Sequence, residues 1–137
     1  MIVKHFTKIL YITGILTMLP LLQFFLPYTA LQIQGLSIGS GGGILFVRHW
    51  GLMAFCFGAL LVYAAVYPHM RRGVVIAAAV EKLGLVVMLA IVWNEPLFAG
   101  MRPVLVVDAL CVWLYGIYLV SGQSSRDFAQ VPERPAR

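Results

Sequence analysis

Residues 71–93 read RRGVVIAAAVEKLGLVVMLAIVW. From Val74 to Trp93 every residue except Glu81 and Lys82 is apolar or glycine. At 1.5 Å per residue this run reaches about 30 Å as a helix, the thickness of a bilayer's hydrocarbon core. Arg71 and Arg72 mark its wet end, because Lys and Arg gather on the side of a span that is not translocated. Ionisable side chains at mid-membrane depth are costly and need a partner or a task. Glu81 and Lys82 are therefore the first candidate site.

Three more apolar runs surround this one: Ile9 to Leu26, Trp50 to Tyr67, and Val104 to Val120. The 137-residue chain is 61% hydrophobic and 11% charged. A soluble domain carries about a quarter charged residues, so lipid must cover part of this surface. The expected fold is all-α: an integral membrane four-helix bundle, up-down-up-down, over residues 1–120, with a flexible cytoplasmic tail at 121–137. Pro20 should kink the first span, since proline removes a backbone bond and crowds the preceding turn. The turn from Pro68 to Gly73 is so short that the second and third spans must be antiparallel neighbours. Residues 27–48 form an outer loop too long to be a bare link. Within it, Ala30 to Ile38 suits a short interfacial helix or strand, and Gly39 to Gly43 reads as a hinge. No Lys-Ser/Thr follows those glycines, which excludes a Walker-type phosphate loop.

Orientation follows from the basic residues. Lys4, Lys8, Arg71, Arg72, Arg126, Arg134 and Arg137 fall on one side, against Arg48 and Arg102 on the other. Both termini should then be cytoplasmic. The net charge of +5 is explained by this bias, and no basic stripe interleaved with aromatics points to nucleic acid. Leu26-Pro27-Tyr28 follows the first apolar run where a cleavage site would need small residues, so that run reads as a retained helix. Cys56 and Cys111 sit inside apolar runs without metal-ligand or redox spacing. His5, His49 and His69 are placed unsuitably for a bis-histidine haem. No catalytic constellation, metal site or resident cofactor is expected.

Two polar sites remain. Glu81 shares the third span with Ala77, Ala78 and Gly84, and small residues mark where membrane helices touch. Glu81 should point into the bundle, as a proton- or cation-binding carboxylate or as a structural contact. Lys82 should extend along the helix towards the cytoplasmic interface. The second site lies near the outer face. Asp108 is close to the start of the fourth span, with Arg48, His49 and Arg102 on the same side. Arg48 is the expected ion-pair partner, with His49 next. Arg102 is six residues before Asp108, off the facing helical positions. This cluster would either fix the packing of the second and fourth spans or wall a lipid or quinone pocket roofed by the outer loop. Asp108 and Glu81 are expected at different depths, without cooperation.

The pattern RHWG opening one helix, PHMRR in a turn, AAAVEKLG in the third span and VDAL in the fourth resembles the small bacterial four-helix membrane proteins called DoxX-like. That resemblance covers about residues 8–120 and implies the four-helix fold and a bacterial cytoplasmic membrane. The family name was attached to a subunit of a thiosulfate:quinone oxidoreductase, and the resemblance assigns no functional residue. Three functions follow from the sequence. The first is an accessory or scaffold subunit that acts by association with other membrane proteins or with itself. The second is a lipid- or quinone-binding redox subunit. The third is a small dimeric proton-coupled transporter using Glu81.

Overall fold

The computed structural model describes residues 5–37 and 42–121, and every regular element among them is helical. Four helical stretches are long and apolar enough to cross a membrane: Phe6–Phe25, Gly42–Val66, Pro68–Ile91 and Pro96–Val120. The tail from residue 122 and residues 38–41 of the glycine segment lie outside the described residues.

The first stretch is broken rather than merely kinked. Helix α1 runs Phe6–Met18 and α2 runs Leu21–Phe25. Pro20 has no N–H to give and its ring crowds the carbonyl four residues back. The chain crosses the break through shorter bonds: Leu19 N–H donates to Leu16 O and Gln23 N–H donates to Pro20 O. Pro27 then opens α3, Pro27–Ile33, at a first-turn position that needs no backbone donor. The interfacial segment is thus a helix, displaced towards Pro27.

Helix α4 is Gly42–Val66 and begins eight residues earlier than the Trp50 expected from sequence. Gly42 and Gly43 belong to its first turn and not to a hinge. Val47 continues the inward stripe of Gly51, Ala54, Gly58 and Leu61, while Leu45 and Phe46 are exposed, and Arg48 is a good helix former that does not interrupt the helix. A 3-10 turn, Pro68–Met70, leads into α5, Arg71–Ile91. A second, Pro96–Met101, leads into α6, Arg102–Val120, with proline in its first turn.

Backbone proximity fixes how α1 and α4 meet. A Cβ on Gly14 would lie 2.9 Å from Gly58 O, and one on Gly51 would lie 2.5 Å from Pro20 O. Residue 14 therefore faces 58 while 20 faces 51, so the two helices run antiparallel with their backbones in near contact. Helix α5 packs along α6 and also against α4.

The tight core occupies one end of the molecule. It holds Phe6, Leu10, Leu61, Ala64, Val75, Ala78, Tyr115 and Tyr118. Phe6 and Tyr118 stack with ring centroids 3.8 Å apart, and Tyr115 meets Phe6 edge-on. Arg71 closes this end. Its Nε donates to Ala64 O at 2.9 Å, and its Nη2 donates to Ala65 O at 2.8 Å and to Thr7 Oγ1 at 2.9 Å. The last carbonyls of α4 have no partner within their own helix, and the buried guanidinium supplies one. The outward faces carry Ile12, Ile15, Val80, Met88, Val106 and Trp113, all exposed.

Candidate functional site

The ends opposite Arg71 are less tightly filled. A cavity of about 370 Å³ lies among α1, α2, α4, α5 and α6, and Ala30, Ile33 and Gln34 of the α3 segment also border it. Its floor is set by a hydrogen bond from Tyr115 Oη to Thr13 Oγ1 at 2.8 Å, while the threonine hydroxyl reaches Ile9 O. Serine and threonine in helices often bond back to their own backbone in this way.

Three charged side chains line the cavity: Glu81, Lys82 and Asp108. Lys82 Nζ donates to Asp108 Oδ1 at 2.6 Å, and the two residues are 5% and 6% exposed. The inward stripe of α6 is Asp108, Cys111, Tyr115 and Tyr118, and that of α5 includes Val75, Ala78, Lys82 and Leu89. Both follow the three- and four-residue spacing of one helix face. The stripes confront each other because α5 and α6 pack together. Asp108 is about 9 Å along α6 and Lys82 about 13 Å from the end of α5, a difference that the long lysine stem bridges.

This pairing corrects the expectation that Arg48 or His49 would meet Asp108. Both are exposed on α4. The inward stripe of α4 runs through Gly51, Ala54, Gly58 and Leu61 and, continued backwards by sevens from Ala54, reaches Val47 and not Arg48. Arg102 is engaged elsewhere: its guanidinium carbon sits 4.9 Å from the Trp93 ring centroid, and Nη2 donates to Trp93 O. Lys82 does not extend towards the Arg71 end, because a buried carboxylate is the nearer partner for its charge.

Glu81 stands beside this pair. One of its carboxylate oxygens, Oε2, is fully buried and accepts no hydrogen bond. Of the small residues expected to form its contact face, Ala78 is buried, whereas Ala77 and Gly84 are exposed. Glu81 and Asp108 border one cavity, so the separation in depth expected from sequence does not isolate them.

Two neutral polar side chains face the same space. Gln23 is 3% exposed and Thr17 8% exposed, and both line the cavity. Neither side chain makes a hydrogen bond among the described residues, though buried polar groups ordinarily do. The remaining wall is apolar. Leu16, Leu19, Leu22 and Val107 border the cavity and are also exposed at the molecule's side. The cavity therefore opens sideways, between α1–α2 and α6, through a rim of leucine and valine. Among the described residues no three His, Cys, Asp or Glu side chains are grouped to hold a metal ion.

These features define an all-helical chain with four helices fit to cross a membrane and a charged cavity at the centre of one half. No family model, curated protein or solved structure matches it.

Proposed function

We propose that this chain is a polytopic membrane protein that binds a lipophilic molecule with a polar head, such as a lipid or a quinone, in the cavity between α1–α2 and α6. The observation that carries this reading is the combination of a polar inner lining, Glu81, Lys82, Asp108, Gln23 and Thr17, with an apolar rim outside. Ligand sites are concave and mostly apolar, with a few placed polar groups, and about 370 Å³ falls in their usual size range. A rim of exposed leucines would be a poor gate for a water-borne solute. It suits a ligand that arrives from the hydrocarbon phase.

In this reading the four spans run up-down-up-down, with both termini and the Pro68–Met70 turn on the cytoplasmic side, in keeping with the distribution of Lys and Arg. A bacterial cytoplasmic membrane and a DoxX-like fold are part of the same proposal. The test is purification in mild detergent followed by extraction and mass spectrometry of bound lipophiles. Wild type should retain an enriched species that Val107→Trp loses, because a ring at that exposed rim position would obstruct the opening. Absence of any enriched species in wild type would count against the cavity as a binding site.

A second reading is association, as an accessory or scaffold subunit. One observation favours it: Gly73 and Gly84 on α5 would meet nothing within 4 Å if given a Cβ. Exposed small residues let another membrane helix approach closely. A proton-coupled dimer using Glu81 would combine the two readings.

A further inference from the structure

We propose that the head group seated in this cavity is an ammonium: the ligand is a lipophilic amine, or the amine of a lipid head group. The inference rests on the binding reading above and concerns which chemistry the polar end selects.

Charge is the first argument. The charged groups bordering the cavity are Glu81, Lys82 and Asp108, and the histidines and arginines lie elsewhere. Lys82 is committed to Asp108 at 2.6 Å. With both carboxylates ionised, the trio carries one negative charge in excess, and that charge belongs to Glu81. Glu81 is partly buried, with Oε2 enclosed and unbonded, and a charge withdrawn from water without a partner is disfavoured. A bound cation would relieve it, whereas an anionic head would add a like charge.

Hydrogen bonding is the second argument. Glu81 Oε2 lacks a donor. Gln23 and Thr17 are buried residues that line the same cavity, and each carries an oxygen able to accept a hydrogen bond. An ammonium has three donors and no acceptor, so it matches this set of oxygens. A quinone head offers only acceptors and would leave Glu81 unsatisfied. The apolar rim at Leu16, Leu19 and Val107 then takes the hydrocarbon chain as it leaves towards lipid.

The experiment uses the full chain in phosphatidylcholine nanodiscs, with empty nanodiscs as background. Saturable binding of radiolabelled dodecylamine is measured and compared with dodecanol and dodecanoate, which share the chain and differ in the head. Dodecylamine should bind at least about tenfold more tightly than either, a factor within reach of one charge-assisted contact. Glu81→Gln should remove that preference, and Glu81→Asp should restore part of it. Gln23→Leu gives an independent reading on the opposite wall and should weaken the amine several-fold. Displacement of the amine by added phosphatidylethanolamine would identify the source as a lipid head group, and absence of displacement a free amine; either result supports the ammonium. If dodecanol or dodecanoate binds as well as the amine, or Glu81→Gln leaves the preference intact, the ammonium assignment is overturned while the cavity remains a binding site. If none of the three binds above background, the binding reading falls with it.

Discussion

Replacing Asp108 by alanine should be among the most damaging single changes that this bundle can receive. The Lys82–Asp108 contact is 2.6 Å long, and the side chains are 6% and 8% exposed. Loss of one partner leaves the other charge buried. In soluble proteins that costs about 3–5 kcal/mol. In a bilayer the unfolded helices also find partners, and polar contacts between helices are worth roughly 0.6–2 kcal/mol on average. A fully desolvated ion pair should lie above that average, so the expected loss is about 3 kcal/mol. This corresponds to roughly a hundredfold shift in the folding equilibrium. Reversible unfolding in mixed micelles, titrated with SDS and followed by far-ultraviolet circular dichroism, measures it.

The same logic fixes the control. Lys82→Met with Asp108→Leu removes both charges together and leaves apolar groups of comparable size. Buried pairs replaced in this way are often neutral or even stabilising. The double variant should therefore lose less than either Asp108→Ala or Lys82→Met alone. The reasoning would be refuted if Asp108→Ala cost under about 1 kcal/mol and the double variant lost the sum of its singles. Additivity means that two groups do not interact.

Gly58→Leu should destabilise the bundle by about 1–3 kcal/mol or more, because even a Cβ there would fall 2.6 Å from Gly14 O. Gly84→Ala, with open space around the same atom, should be neutral or stabilising by up to about 1 kcal/mol; the same SDS titration reads both. Arg71→Met removes the donor to Ala64 O, Ala65 O and Thr7 Oγ1. It should speed amide exchange in the last turn of α4 more than at Gly51, and equal acceleration at both would show that the guanidinium does not act as a local cap.

The spans were legible because lipid imposes a length and a composition, and Val74 to Trp93 satisfies both without any knowledge of packing. Element ends were less so. Gly42 and Gly43 have low helix propensity, yet they begin α4 because the apolar stripe from Val47 to Leu61 carries the helix backwards through them. Depth along each helix, taken alone, pairs Asp108 with Arg48 at its own level, whereas the observed partner is Lys82. Helix face decides first: Lys82 falls on the stripe with Val75, Ala78 and Leu89, and Asp108 on the stripe with Cys111, Tyr115 and Tyr118. Those spacings were visible in the sequence. That α5 and α6 turn these stripes towards each other was not, since it depends on which helices are neighbours. Gln23 stands in the short helix that follows Pro20. Its position in the cavity depends on the break at Pro20, whose geometry no propensity scale supplies.

The two ends of the bundle answer the same physical problem differently. At the Arg71 end, the buried side chains of Arg71, Tyr115 and Thr13 have partners: the guanidinium caps α4, and Tyr115 meets Thr13. Stacked aromatic rings fill the remaining space. At the other end, Glu81 Oε2, Gln23 and Thr17 lack protein partners, and a cavity stands where side chains would otherwise interdigitate. Close packing at native density is the ordinary state of a protein interior, so one end follows that rule and the other departs from it. The departure is localised: Glu81, Gln23 and Thr17 line one volume, and exposed apolar residues border its side. A chain selected for stability alone would fill Ala54 outward and replace Gln23 by leucine. The proposed binding of an amphiphile rests on this polar lining around a space of ligand size.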